Sequence, residues 1–203
     1  MKRTTRNATR TRQEIIEKAA PVFNVHGLAG TSMQMLVEAT GFQMGGIYRH
    51  FETKKALAKE VFQYSYDVLI QQNLDLLEEA TDPREKLMHI VGAYESMVKM
   101  PKVKGGCPIL NMSIEVDDTD REFRELVKAN FSKIINVIIS TLEQGKSTGA
   151  FQQNIEPSEV ALFMASVLEG SIMIGKLTRD PMAVLSAFRQ MKQYLKVCVL
   201  IRH

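Results

Sequence analysis

Six side chains suited to contacting a nucleic acid fall within twelve residues of the stretch GFQMGGIYRHFETKKAL, Gly41 to Leu57: Gln43, Met44, Tyr48, Arg49, His50 and Lys54. Their chemistry is recognition rather than bond breaking. The Gln43 amide matches the donor–acceptor edge of adenine, the Arg49 guanidinium suits guanine or phosphate, and Met44 can touch a thymine methyl. Tyr48 and His50 carry donors suited to phosphate oxygens. Lys54 follows Thr53 at a helix start, where a cation beside unpaired amides makes a phosphate clamp. Gly45 and Gly46 sit among these residues. Two glycines cost a helix interior roughly 1–2 kcal/mol relative to alanine, so stability does not select them. Close approach of the backbone to another molecule would.

Other constellations are poorer. Asp117, Asp118 and Asp120 lie in the run DDTD, but no second acidic cluster accompanies them, and acids there favour the start of the next helix. His26, His50, His89 and His203 show no ligand spacing, so no metal and no cofactor is expected. No nucleophile elbow or phosphate loop is present, so the chain is not expected to be an enzyme. An all-helical enzyme with a regulatory N-terminal part is the rival reading, and it lacks a catalytic set. Cys107 follows Lys104, Gly105 and Gly106 at a loop-to-helix junction. A thiol near a cation and a helix start is a candidate sensor of oxidants or electrophiles; the alternative is a small packed residue. Cys198 lies in an apolar run and is expected to react more slowly.

Helical periodicity dominates the elements that must carry these residues, and the fold class is all-α with about nine helices. Capping boxes are read at Thr11–Glu14, Thr31–Gln34 and Thr119–Glu122. Asp82-Pro83 and Asp180-Pro181 mark two further starts. The helices are expected over 12–26 (with Pro21 bending the first), 32–39, 43–50, 54–80, 83–100, 109–116, 120–144, 158–177 and 181–201. Thr40, Gly41 and Phe42 form the turn of a helix-turn-helix, with Gly41 supplying a positive φ.

Charge divides the chain. Residues 1–60 carry ten lysines and arginines against five acids, although the whole chain is only +3. This predicts a polyanion-binding domain over 1–60 and a domain over 61–203 with another kind of partner. Lys2, Arg3, Arg6, Arg10 and Arg12 make the tail either a minor-groove arm or a solvated segment. The apolar run 160–175 is short for a membrane span and carries Glu169, so no membrane partner is expected and the protein is read as cytoplasmic.

The residues Gly41-Phe42, Gly45, Ile47-Tyr48, His50-Phe51, Lys54 and Leu57 give this stretch its family pattern, with Phe23, Gly27 and Thr31 upstream. It resembles the TetR family of bacterial transcriptional regulators over about residues 11–60. The resemblance implies a three-helix DNA-binding domain followed by a helical ligand-binding and dimerisation domain. The protein would be a homodimeric repressor, or an activator of the same fold, that leaves double-stranded operator DNA when a small-molecule effector binds. Thr31, Gln43, Met44, Gly45, Gly46, Tyr48, Arg49, His50 and Lys54 would contact DNA. Met88, Met97, Met100, Met112, Met164 and Met173 fall on helices that enclose the effector cavity in the family and would suit a hydrophobic effector. The last two helices are expected to form the dimer through Phe163, Val167, Ile174, Val184, Phe188, Met191 and Leu195, because the C-terminal run is apolar on all sides.

Overall fold

The computed structural model describes residues 2–71, 73–74, 77 and 80–200, with side chains from residue 8 onward. Nine helices and no strand are found among the described residues. They are α1 (Lys2–Gly30), α2 (Met33–Thr40), α3 (Met44–Tyr48), α4 (Lys54–Tyr66), α5 (Pro83–Lys99), α6 (Pro108–Val116), α7 (Arg121–Ser147), α8 (Pro157–Thr178) and α9 (Pro181–Tyr194). Two of them continue as π-helical turns, α4 over Asp67–Gln71 and α9 over Leu195–Val199. Ile201, expected to end the last helix, lies outside the described residues.

Two compact units result. The first comprises Met1–Val68 and Val103–Glu125, the second Leu69–Lys102 and Leu126–His203. Beyond the expected boundary at residue 60, the chain thus comes back to the first unit over Val103–Glu125. The reason is burial: Ile109, Met112 and Val116 on one face of α6, and Phe123 just after it, are inside. The Phe123 ring meets Phe62 of α4 edge to face, centroids 5.7 Å apart. The same core holds Ile15, Ala19 and Phe23 of α1, Leu36 of α2 and Ile47 of α3.

Helix starts follow capping chemistry, with a consistent correction. Asp82 and Asp180 each accept a backbone N–H two residues on, at 2.8 Å, as their Asp-Pro signatures predict. The three threonine boxes do not form. Thr11 lies inside α1, which runs unbroken past it. Thr31 and Thr119 turn their hydroxyls back to donate to the carbonyls of Gly27 and Glu115, both at 2.6 Å. The next residue caps instead: Ser32 accepts from Met35 N–H at 3.2 Å and Asp120 from Phe123 N–H at 3.1 Å. Serine and aspartate are better caps than threonine, and threonine readily back-bonds to the preceding turn. Pro21 does not end α1; the only non-helical backbone within it is at Gly27, with φ 72° and ψ −179°.

In the second unit, α5, α8 and α9 pack together around Leu87, Val91, Met164 and Leu168. Val184, Phe188, Met191 and Leu195 belong to this core, with Phe188 only 1% exposed. They therefore cannot be the dimer seam that an apolar last helix suggested. Their side chains face α8 and α5 of the same chain, so the apolar period of α9 records intrachain packing. Phe163 and Ile174 of α8 do remain exposed, at 44% and 47%, and Val167 is half-buried between them.

Candidate nucleic-acid interface

The turn between α2 and α3 is built from three local bonds. Gly41 takes the left-handed conformation, φ 76° and ψ 4°, and its N–H returns to the Val37 carbonyl at 2.9 Å. Thr40 donates its hydroxyl to the Leu36 carbonyl and accepts the Phe42 N–H. Lys18 of α1 donates to the Thr40 carbonyl at 3.1 Å, with its ammonium 5.9 Å from the Phe42 ring centre. Buried Leu36 and Ile47 then hold α2 and α3 together.

The outer side of α3 presents Gln43, Met44, Gly45, Tyr48 and Arg49 to solvent, while Gly46 and His50 are half-buried. Neither glycine is required by the chain itself. Both lie outside the positive-φ region. A Cβ on Gly45 would meet nothing within 4 Å, and one on Gly46 only the Phe42 Cβ at 3.9 Å, an ordinary contact. Alanine would fit at both positions and strengthen the helix, so the fold itself does not require glycine there.

The basic residues divide into committed and uncommitted. Arg12 pairs with Glu60 and lies over the Phe51 ring, 4.7 Å from its centre, so it belongs to the packed domain rather than to an arm. Lys2, Arg3 and Arg6 lie outside the residues with described side chains. Lys55 and Lys59 pair with Asp120 and Glu122, each at 2.5 Å. Its hydrogen bond to Asp120 raises the Lys55 pKa, and the same bond holds the Asp120 carboxyl below its usual range. Lys54 donates to the carbonyls of Leu28 at 2.8 Å and Thr31 at 2.7 Å, so its ammonium braces the α1–α2 connection instead of standing open as a phosphate clamp. Gln43, Tyr48 and Arg49 make no side-chain hydrogen bond or ion pair among the described residues. They are the exposed polar side chains of this face without such a bond.

Thr31 is not among them. It is 1% exposed, and its hydroxyl is used within the chain. Cys107 is fully buried at the head of α6, as the packing alternative requires, while Cys198 is exposed despite its apolar run. A closed-off thiol suits the packing role. Sequence reading missed Glu115, whose carboxylate accepts the N–H groups of Leu28 and Ala29, and the pair Asn24 and Asn111. The one available signal was the spacing of Asn111 and Glu115, four residues apart on a short, mostly apolar helix.

The second unit contains a small cavity of about 20 Å³, room for little more than a water molecule, walled by Leu69, Ile70, Leu77, Ile90, Tyr94 and Met97 among others. Of the six methionines on helices that the resemblance puts around an effector, Met97 lines it. Met164 is core, Met100 and Met173 are exposed, and Met112 lies in the first unit.

Comparison with known proteins finds two family matches along the chain. The family described as bacterial regulatory proteins, tetR family, matches residues 15–61, and that described as tetracyclin repressor-like, C-terminal domain, matches residues 83–191. The probable acrEF/envCD operon repressor of Escherichia coli K12 is 35% identical over 153 residues, 71% of this chain and 68% of that protein. The repressor DhaR of Mycobacterium sp. GP1 is 26% identical, covering 85% of each chain. A TetR transcriptional regulator of Chloroflexus aurantiacus superposes with a TM-score of 0.90 at 29% identity, covering 97% of this chain and all of the other.

Proposed function

Because the chain belongs to the TetR family and is a DNA-binding transcriptional regulator, we propose that it is a cytoplasmic, homodimeric repressor released from a palindromic operator by an apolar small molecule. The observation that carries the DNA-contact assignment is the open face of α3. Gln43, Tyr48 and Arg49 have no side-chain partner among the described residues, and Gly45 and Gly46 keep a surface bare that the fold would let them fill. Gln43 and Arg49 read bases, Met44 contacts a methyl group, and Tyr48 and His50 approach phosphates.

The dimer forms through the outer face of α8. Leu162, Phe163, Ile174 and Leu177 are exposed there, and Val167 and Gly170 lie half-buried between them. This helix is long and apolar enough to cross a membrane by length and composition, yet its other face is core; a protein partner explains the apolar outer stripe. A two-fold dimer would bring two copies of α3 to one palindrome. The wall of the small cavity is almost wholly apolar, which supports an uncharged hydrophobic effector, and the cavity must widen to admit one. That effector must bind more tightly to the form that does not hold operator, since equal affinity for both forms shifts nothing.

The test is enrichment of duplexes from a random pool by the full-length protein, followed by footprinting and a screen of apolar compounds for loss of protection. Protection of two half-sites about one helical turn, ~34 Å, apart is expected. Enrichment of sequences without two-fold symmetry would overturn the dimeric reading.

A further inference from the structure

The α1–α2 connection is gripped from two sides by opposite charges. The Leu28–Ala29 peptide has its carbonyl on the Lys54 ammonium at 2.8 Å and its N–H on the Glu115 carboxylate, which also takes the Leu28 N–H at 2.7 Å. Lys54 reaches one step further, to the Thr31 carbonyl, immediately before the Ser32 cap of α2. A cation at the carbonyl pole and an anion at the amide pole of one peptide unit is the arrangement its dipole favours, and bonds to charged groups are the stronger ones. Gly27 belongs to the same device. Its positive φ directs the chain past the carboxylate, and a Cβ there would lie 2.5 Å from the Glu115 Oε2.

Glu115 is itself held by a polar fastening one turn earlier on α6. Asn111 donates to the carbonyl and the side-chain oxygen of Asn24, both at 2.9 Å, and to the Gly105 carbonyl at 2.8 Å. Asn24 in turn donates to the carbonyls of Lys104 and Gly106, both at 2.9 Å. So α6 is fixed to α1 at Asn24, and through Glu115 it fixes the loop that launches α2. The helix-turn-helix is then positioned by a carboxylate from α6 and an ammonium from α4.

We propose that Glu115 and Lys54 are positioning residues for operator binding: they set the place of α2, and with it α3, by holding the Leu28–Ala29 peptide at its two poles. The proposal rests on α3 being the operator-reading helix. It makes an unusual demand on Glu115. Removing an acid from a DNA-binding unit should by charge alone tighten binding to a polyanion. If Glu115 positions the motif, its removal weakens binding instead.

The experiment uses the full-length protein and a palindromic duplex enriched by the wild type, with affinity measured at several salt concentrations. Failure of the wild type to enrich any duplex would count against the reading of α3, and not against this proposal. Given a binding wild type, Glu115→Ala should lose about tenfold or more in affinity, the scale of two charge-assisted bonds, and Glu115→Gln, which keeps the shape and one acceptor, should fall between. Lys54→Met should weaken binding with an unchanged slope of log affinity against log salt. Hydrogen exchange at Leu28 and Ala29 should accelerate in each Glu115 variant, and Glu115→Gln should melt close to the wild type. Equal or tighter binding by the two Glu115 variants would overturn the role of Glu115. A slope flattened by about 0.9 in Lys54→Met would assign Lys54 to a phosphate and overturn its role.

Discussion

Gly45→Ala should move stability and operator affinity in opposite directions. Glycine in a helix interior costs about 1 kcal/mol relative to alanine, and at Gly45 no steric penalty offsets the gain, because an added Cβ meets nothing within 4 Å. For a chain of this size 1 kcal/mol moves Tm by roughly 2–4 °C. Since α3 spans only Met44–Tyr48, the rise belongs at the low end of that range. Against DNA the same methyl group occupies the space through which the backbone approaches. Holding α3 off the groove sacrifices on the order of one bidentate base contact per half-site, about 2–6 kcal/mol over both half-sites, or roughly thirtyfold upward. Calorimetry and fluorescence anisotropy on an enriched duplex measure the two quantities. A variant that melts higher and binds as tightly as the wild type would refute the close-approach argument, and the glycines would need another cause.

Phe163→Glu with Ile174→Glu places charge on the exposed stripe of α8, and sedimentation should show monomer with operator binding lost; Phe188→Glu, by contrast, should unfold the chain, because that ring is core. Glu95 accepts hydrogen bonds from Lys192 and Lys99, which lower its pKa from an ordinary 4.5 to about 2. Its folded pKa is depressed, so its contribution to stability is full above pH 4.5 and fades as pH falls toward 2. The gap in urea midpoint between wild type and Glu95→Gln should accordingly be widest near neutrality and close in that window. A maleimide should label Cys198 quickly and Cys107 only as the first unit opens, which mass spectrometry of the labelled peptides reads directly; fast labelling of Cys107 in the folded protein would reinstate it as a sensor.

The recognition motif was legible in the sequence because its constraints are local. Gly41 must take a positive φ, Ile47 must be buried, and the residues around them must stay on one short exposed surface. The Asp-Pro starts were legible for the same reason, since cap and proline are adjacent. Thr31 and Thr119 misled because each stands beside a better cap, Ser32 or Asp120, and periodicity alone does not rank neighbours. The last helix misled for a different reason. An apolar period at Val184, Phe188, Met191 and Leu195 says that a face is buried but not by which chain. Lys54 and Glu115 lie 61 residues apart in the sequence. Their shared grip on one peptide depends on α6 returning to the first unit, which no local pattern encodes.

The π-helical turns at Asp67–Gln71 and Leu195–Val199 bear on how this chain can change length. A π-turn is an α-helical stretch carrying one residue more than the regular spiral needs. Loss of a single residue inside either segment would return its own backbone to ordinary α geometry. The same loss within Pro83–Lys99 would rotate everything beyond it by about 100° and turn Leu87, Ile90 and Val91 out of register with their neighbours. Single-codon deletions surviving in a library of this gene should therefore gather at those two turns and at the loops, and be scarce along the regular helices between them.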